Sequence, residues 1–255
     1  MSPPTSPSLA PRIGVLGGLG PAATVDFLDK LIRLTPATCD QEHLPVIVAN
    51  LPQVPDRTSA IIGNGADPLP ALLAGIDVLN QAGVGVIAIP CNSSHHWYAQ
   101  IAAHSRAPML HIAHACVAAV PPAPSARVAV LATRGTLTSG FYQALLGERG
   151  IKALVPDAAT GQDDIDACIR AIKAGDMAAG TAAFNRALAP LAAAGATAAI
   201  LGCTELPIAA RAAAPTPLTL IDSTLALARA TVDYALARGW NQGRSGEALH
   251  TSFLK

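Results

Sequence analysis

The sequence predicts an α/β protein made of two related halves, each with a parallel sheet covered by helices. Short apolar runs alternate with helical patterns along the chain, which is typical of parallel sheets. Ala82–Gly83 and Ala194–Gly195 each precede an apolar run, and a cysteine follows each glycine by eight residues (91 − 83 and 203 − 195). Cys91 and Cys203 are 112 positions apart (203 − 91), and the first strands of the two halves are 115 apart (128 − 13). Such similar offsets indicate a duplicated unit, with chance similarity between short apolar strands as the alternative.

The elements follow in order from this pattern. Ile13–Gly18 is an apolar run that ends in glycines, and Pro21–Leu34 reads as the first helix because proline is favoured in a first turn. The further predicted strands are Val46–Asn50, Val84–Ile89, Met109–Ile112, Val128–Thr133, Ala153–Val155, Ala196–Leu201 and Leu218–Ile221. The further predicted helices are Pro70–Gln81, Arg134–Leu146, Asp163–Ala174, Asp176–Ala194 and Thr224–Ala237, the last one stopped by Gly239.

The order of the elements also predicts the domains. Residues 12–110 form the first α/β domain, to which residues 222–240 return, and residues 111–221 form the second. Residues 1–11 are rich in proline and serine, and we expect them and residues 241–255 to be flexible tails.

The composition excludes several classes of protein. Lys plus Arg and Asp plus Glu are both 17, so no overall field attracts nucleic acid or an anionic membrane, and we expect neither as a partner. No stretch reaches the roughly 18 apolar residues of a membrane helix, and no signal peptide core is present. We therefore expect a cytoplasmic protein.

Two of the five cysteines stand apart from the rest. The odd number argues against a disulfide framework, and the usual zinc spacing is absent. Cys91 and Cys203 each follow a buried strand and precede a helical pattern, where ligands bind in α/β sheets and where a helix start favours the thiolate. The remaining cysteines lack such a position and are interpreted as structural: Cys39, Cys116 and Cys168.

Two equivalent thiols suggest a specific chemistry. If the halves face each other about a pseudo-twofold axis, their strand ends meet across one cleft with one sulfur on each side. One thiolate can remove a proton from a carbon, and the opposite thiol can return a proton to the other face. The arrangement predicts stereoinversion by Cys91 and Cys203.

At this point the chain resembles the aspartate/glutamate racemase family. The resemblance runs in order from about Ile13 to Asp222. It implies two flavodoxin-like domains with the active site between them, a homodimer, no cofactor, and a dicarboxylic amino acid held between two catalytic cysteines. The motifs that carry it are Gly17–Pro21, Pro55–Thr58, Pro90–Ser93, Leu131–Thr136 and Leu201–Pro207.

The resemblance also implies roles for further residues. Four would bind the α-carboxylate and the amine of the substrate: Asn92, Ser93, Thr133 and Thr204. Arg57 and Lys173 would hold a side-chain carboxylate; the alternative for each is a solvated surface charge. Glu205 can cap the next helix or orient nearby groups. Leu19 and Ser93–Ser94 depart from the family's frequent Met and Thr–Ala, which leaves the side-chain preference open.

A histidine-rich stretch and a glycine turn have other interpretations. The stretch contains His95, His96, His104, His111 and His114. A metal site would need a carboxylate that this stretch lacks, so we expect polar surface histidines and no metal; His95, four residues after Cys91, is placed to tune that thiol. Gly17–Gly20 lacks the G-x-G-x-x-G spacing of a dinucleotide site.

Three alternatives to an aspartate or glutamate racemase stay open. A hydantoin racemase or maleate isomerase would use related paired cysteines on another substrate. A non-catalytic protein could bind a small acid in the cleft, since a fold does not fix a function. A Cys–His hydrolase with His95 or His96 as its base would leave the second cysteine without a role.

Overall fold

Strands and helices alternate throughout the computed structural model, which describes residues 11–122, 126–158 and 161–241. The strands in these ranges are β1 (Ile13–Gly17), β2 (Val46–Asn50), β3 (Val86–Ala88), β4 (Arg127–Ala132), β5 (Lys152–Leu154), β6 (Ala198–Gly202) and β7 (Thr219–Asp222). The α-helices are α1 (Pro21–Leu34), α2 (Arg57–Ile61), α3 (Leu69–Gln81), α4 (Tyr98–His104), α5 (Ile112–Ala118), α6 (Arg134–Ser139), α7 (Phe141–Glu148), α8 (Gly161–Lys173), α9 (Met177–Ala193), α10 (Leu206–Ala210) and α11 (Ser223–Leu236). Asp40–Glu42 and Ser93–Trp97 form short 3-10 helices.

The strands form two parallel sheets with the same internal order. The first sheet runs β2-β1-β3 and the second β5-β4-β6-β7, so the first strand of each half lies between its second and third. Met109 forms a parallel bridge with Ile87 on the free side of β3, where the second sheet has β7. β1 pairs with β3, with Ile13 opposite Val86, just as β4 pairs with β6 in the second sheet. The prediction of an α/β fold with two similar parallel-sheet units is confirmed.

One inner core joins the two halves. A single cluster of buried side chains includes Val15 and Val86 from the first sheet and Val130 and Ile200 from the second. Helices α1, α5, α7 and α11 lie in this layer: α11 packs on α1 and α5, and α5 packs on α7. The outer face of the first sheet is covered by α3 and α4, and that of the second by α8, α9 and α10. The molecule therefore has five layers: outer helices, the first sheet, the inner helices, the second sheet and a further set of outer helices. The domain boundaries remain a prediction.

A buried ion network also crosses between the halves. Lys30 on α1 is buried, and its ammonium lies 2.6 Å from Asp222 at the end of β7. It also contacts Asp26 and Thr224. Asp26 accepts a further hydrogen bond of 2.7 Å from Arg211, just after α10. Since a buried charge needs full pairing, this network holds α1 against the second half.

Two element predictions were wrong. Met109–Ile112 is not a strand: beyond the single Met109 bridge the chain turns into α5, because the His111 side chain accepts a hydrogen bond from the Ala113 N–H and caps that helix. The helix predicted over Arg134–Leu146 is broken into α6 and α7 at Gly140, whose φ of 73° lies in the left-handed region that glycine tolerates.

The ends of the chain are described only in part. Gly239, with φ of 71°, follows the end of α11 as expected. The tails predicted at residues 1–11 and 241–255 lie outside the described residues, except for Pro11 and Asn241. Within the described ranges, no helix combines the length and apolar character needed to cross a bilayer.

Candidate active site

A small pocket lies where the carboxyl ends of β1, β3, β4 and β6 converge. All eight residues singled out in the sequence line it: Arg57, Cys91, Asn92, Ser93, Thr133, Lys173, Cys203 and Thr204. Six others complete the wall: Leu19, Asp56, Thr58, Thr136, Gly202 and Glu205. The free space is about 30 Å³, room for about two water molecules. Both halves of the chain contribute to it.

Cys91 is held by the loop after β3. The residue is only 4% exposed, and its N–H donates to the carbonyl of Ile89 over 2.8 Å. Its sulfur lies 3.6 Å from the Ser93 hydroxyl, and the Ser94 hydroxyl donates to its carbonyl over 2.8 Å. The backbone at Cys91 is therefore fixed, and its sulfur lies beside the hydroxyl of Ser93, a second residue of the pocket wall.

His95 supports this loop from beneath. Its Nε2 accepts a hydrogen bond from the Ile112 N–H at 3.2 Å, so its Nδ1 carries the proton and donates to the Cys91 carbonyl at 2.8 Å. Burial lowers the pKa of His95 to about 4. The expectation of a surface histidine was wrong here, because the ring is buried and both nitrogens bind backbone atoms. His96 is exposed and lies 2.9 Å from the Ser139 hydroxyl.

Cys203 has a different environment from Cys91. Its sulfur donates to Oε2 of Glu205 at 3.0 Å, and the Thr204 hydroxyl donates to the same oxygen at 3.1 Å. Burial raises the pKa of the Cys203 thiol well above its ordinary value, and the charge and hydrogen bond of Glu205 add to this while Lys173 opposes it. The expected lowering by a helix start was wrong, because α10 has only five residues and begins beside a carboxylate.

The guanidinium of Arg57 is held by backbone carbonyls. Its Nη1 donates to Val54 and Pro55 at 3.0 and 2.9 Å, and its Nη2 donates to Leu19 at 3.0 Å. Its Nε is buried and has no partner in the described protein. Most of its N–H donors thus bind the loop before α2 to the turn before α1. Arg57 therefore has fewer N–H donors left for a ligand in the pocket than a free guanidinium would have.

The other charges of the pocket lie close to one another. Lys173 is half exposed, and its ammonium is 3.9 Å from Oε1 of Glu205. Burial would raise the pKa of Asp56, but hydrogen bonds from Ser59 and the charges of Arg57 and Lys173 outweigh burial, so the pKa is lowered. Two cations and two carboxylates line the pocket, so their formal charges sum to zero.

A model of the Asp/Glu/hydantoin racemase family matches residues 16–231, most of the chain. The chain belongs to this family. The resemblance predicted from the sequence motifs is confirmed, and with it the prediction of an isomerase acting on amino acids.

Relatives of this racemase family member agree with the assignment. The broad specificity amino-acid racemase RacX of Bacillus subtilis is 31% identical over 231 residues, which cover 88% of this chain and 98% of RacX. The aspartate racemase structure of Picrophilus torridus is 30% identical with a TM-score of 0.74, covering 88% of this chain and 94% of that one. The glutamate racemase RacE1 of Bacillus anthracis, 19% identical with a TM-score of 0.68 over 90% and 83% of the two chains, shares the fold.

Sequence reasoning missed a second set of residues beside the pocket. Asn92 does not stand alone: its Nδ2 donates to the Ser223 hydroxyl at 3.0 Å, and its Oδ1 accepts from the Tyr142 hydroxyl at 2.6 Å. Cys116 lies 3.3 Å from the same hydroxyl, and Tyr142 and Ser223 are completely buried. An isolated tyrosine on a predicted helix carries no signal of this role; only the packing of α7 and α11 against the Cys91 loop reveals it.

Thr133 is likewise part of a pair. It caps α6, where its hydroxyl oxygen accepts from the Thr136 N–H at 3.2 Å and lies 3.1 Å from the Thr136 hydroxyl. Its place in Leu131–Thr136 marked Thr133 in the sequence, whereas Thr136 was named only as part of that motif, because a threonine is not the Glu or Gln that completes a capping box.

The remaining cysteines of this racemase family member lie away from the pocket. Burial raises the pKa of Cys116 to about 12 and that of Cys168 to about 11, and both pack in the core. Cys39 is exposed. Among the described residues, no cluster of three or more His, Cys, Asp or Glu side chains could hold a metal ion.

Proposed function

We propose that this chain racemises an α-amino acid without a cofactor, using Cys91 and Cys203 as the two acid–base groups. The observation that carries the proposal is the common pocket: both cysteines line it, each just beyond the third strand of its own half. A substrate α-carbon in this pocket lies between them. That placement suits proton removal from one face and proton delivery to the other.

The surroundings of Cys203 assign its resting state. Because its pKa is raised, Cys203 rests as a thiol and is ready to deliver a proton to a carbanion. In that direction Cys91, as thiolate, removes the α-proton. The reverse direction starts from the pair that this turnover leaves, Cys203 as thiolate and Cys91 as thiol: Cys203 removes the α-proton and Cys91 delivers a proton to the opposite face. Protons balance in both directions, since each turnover moves one proton onto one sulfur and one off the other.

Polar groups beside the sulfurs would hold the α-carboxylate and the amine. The Asn92 amide gives one N–H to Ser223 and keeps the other for the pocket. Ser93 and Thr133 line the same space. A carboxylate anchored by such donors also withdraws charge from the carbanion, which lowers the barrier to proton removal.

The predicted substrate is a dicarboxylic amino acid, aspartate or glutamate. The named activities of the relatives, an aspartate racemase and a broad specificity amino-acid racemase, support an amino acid in general. Arg57 and Lys173 do line the pocket, yet Arg57 uses three donors on carbonyls, so Lys173 is the better candidate for a side-chain carboxylate. A homodimer and a cytoplasmic location remain predictions.

Deuterium exchange tests the racemisation. Enantiopure aspartate, glutamate and several other amino acids are incubated with the protein in D₂O, and optical rotation and Cα deuterium are followed by polarimetry and mass spectrometry. We expect loss of optical activity with deuterium in both enantiomers. Absence of both for every amino acid refutes racemisation, and a hydantoin and maleate added to the panel test the two related reactions.

Alanine variants test the roles of the two thiols. Cys91→Ala and Cys203→Ala are each expected to abolish racemisation, while Cys116→Ala, a buried cysteine outside the pocket, is the matched control. Substantial turnover by either of the first two variants would contradict the two-base scheme. An absorbance spectrum of the purified protein checks for pyridoxal phosphate.

A further inference from the structure

A groove lies between α5, α11 and the strand β7, away from the pocket that holds the two cysteines. Its volume is about 370 Å³, and among the described residues it shares no wall residue with that pocket. β7, at the end of the second sheet, lines one side of the groove. We call this space the alanine groove, because alanines form most of its helical walls: Ala115, Ala118 and Ala119 at α5, and Ala226 and Ala230 on α11.

A ridge of exposed side chains on α11 borders this groove. Its members are four residues apart: Leu225, Arg229, Asp233 and, just after the helix, Ala237. Side chains at this spacing form a continuous ridge on a helix. Ala226 and Ala230 have the same spacing, and their small side chains form a valley next to the ridge. A ridge beside a valley is the surface with which one helix packs on another.

The two charges of the ridge have no partner within the part of the chain that the structure describes. Neither the Arg229 nor the Asp233 side chain makes a hydrogen bond or an ion pair there. By contrast, Arg33 on α1 is also exposed, and it pairs with Asp29 one turn away. A surface that complements the ridge therefore brings a carboxylate to Arg229 and a cation to Asp233.

The ridge is complementary to itself. Arg229 and Asp233 are each two residues from Thr231 (231 − 229 and 233 − 231). Leu225 and Ala237 are each six residues from it (231 − 225 and 237 − 231). When two copies of α11 pack in opposite directions about a twofold axis at the level of Thr231, each Arg229 faces Asp233 of the partner subunit. Each Leu225 then faces Ala237 of the partner subunit, and the axis makes every contact twice.

The charges also fix the register of this packing. If the axis lay two residues earlier, Arg229 would face Arg229 of the partner subunit, and two residues later Asp233 would face Asp233 of the partner subunit. Like charges that face each other across an interface are strongly unfavourable, so of these three positions only the one at Thr231 is favoured. Ridges of this spacing pack into valleys at a crossing angle of about −50°, which lets each ridge enter the alanine groove of the other copy.

We propose that the ridge of α11 and the alanine groove form the surface through which two copies of this chain make a homodimer. The proposal assigns a surface to the homodimer expected from the sequence, and it does not depend on racemisation. The competing surface is the outer face of α1, where Val25 and Ile32 are 67% and 59% exposed. The exposed charges of that face, Asp29 and Arg33, already pair within the helix, so they do not orient a second copy.

Charge reversals test the interface. Arg229→Asp and Asp233→Arg each bring like charges together twice across the axis, and we expect each to raise the dissociation constant of the dimer at least about a hundredfold. The double variant, Arg229→Asp with Asp233→Arg, restores opposite charges and should dimerise as the wild type does. Arg106→Asp, at an exposed arginine outside the groove, is the matched control. Size-exclusion chromatography with light scattering gives the masses over a dilution series, and circular dichroism checks folding.

Mixing the two single variants tests the pairing directly. Each is expected to be monomeric alone, yet together they should form a heterodimer in native mass spectrometry, because one ridge then carries two negative charges and the other two positive ones. Failure of the mixture to associate overturns the pairing, as does wild-type protein that is monomeric throughout the dilution series. A dimer that both single variants preserve also overturns it, and dissociation by Val25→Asp then assigns the dimer to α1. Racemisation is assayed on the same samples, so a failed dimer and a failed racemase are separate results.

Discussion

The hydrogen bond from Tyr142 to Asn92 gives a test of how the pocket is held in shape. Tyr142→Phe keeps the buried ring of α7 but removes the hydroxyl that donates to Asn92 Oδ1 over 2.6 Å. The acceptor is buried and stays without this partner, a cost of about 1–3 kcal/mol. Since 1 kcal/mol corresponds to about 2–4 °C in a chain of this size, we expect the midpoint of thermal unfolding to fall by several degrees.

The same substitution has a kinetic consequence. The Tyr142 hydroxyl fixes which end of the Asn92 amide faces the pocket, so without it the amide no longer presents an N–H reliably to the carboxylate of the substrate. A hydrogen bond to a charged group contributes about 1.5–3 kcal/mol, which corresponds to about tenfold or more in KM. We expect KM to rise by that factor while kcat changes less, as for an interaction made equally in the ground and transition states.

Two measurements decide the Tyr142 prediction. Thermal unfolding by circular dichroism gives the change in stability, and polarimetric racemisation at several substrate concentrations separates KM from kcat. Tyr98→Phe is the matched control, because the Tyr98 hydroxyl donates to the Met109 carbonyl at 2.8 Å outside the pocket. A Tyr142→Phe protein with unchanged KM refutes the reasoning, even if its stability falls as much as that of Tyr98→Phe.

Three further predictions follow from the pKa shifts. Glu205→Gln lowers the pKa of Cys203 by removing the adjacent charge, so iodoacetamide should alkylate Cys203 faster at pH 8. The free energy of unfolding should fall as the pH drops from about 6.5 to about 4, because His95 gains a proton when unfolded but stays neutral when folded. This amounts to about 3 kcal/mol, and His95→Gln should remove it in denaturant titrations. Native protein should be labelled at exposed Cys39 but not at Cys116, with its pKa of about 12.

Controls exist for each of these predictions. For Glu205→Gln the control is Asp56→Asn, which removes a pocket carboxylate that makes no hydrogen bond to Cys203. If Glu205→Gln leaves the alkylation rate of Cys203 unchanged, burial alone raises the pKa of this thiol. His104→Gln changes an exposed histidine and should keep the loss of stability in acid; an equally steep loss in His95→Gln contradicts the role of burial. Rapid labelling of Cys116 in native protein would show that the inner core opens readily.

Much of the fold was predictable because local patterns agree with the final structure. The run Val46–Asn50 and the helix Pro21–Leu34 were placed with their observed bounds, since a continuous apolar run and a proline in the first turn act within one strand or one turn. Met109–Ile112 failed because a histidine cap at His111 outweighed the β-propensity of four apolar or aromatic residues. Caps made by histidine have no distinctive sequence signal.

The sequence motifs predicted which residues line the site, but not which hydrogen bonds and ion pairs they make. All eight chosen residues line one pocket, because parallel strands end at the same edge. Their interactions were not predictable: the sequence shows that Arg57 follows a strand, but not that carbonyls of Val54, Pro55 and Leu19 take its donors. The partnership of Cys203 with Glu205 requires side-chain directions that spacing does not give.

The layer of helices between the two sheets limits how an amino acid can reach the sulfurs. A clamshell motion of the halves would expose apolar side chains of α1, α5, α7 and α11 to water and would pull Lys30 from its carboxylates, a cost far above thermal energy. We therefore expect an amino acid to enter past the exposed side chains of Lys173 and Met177, a route that leaves the inner layer of helices in place.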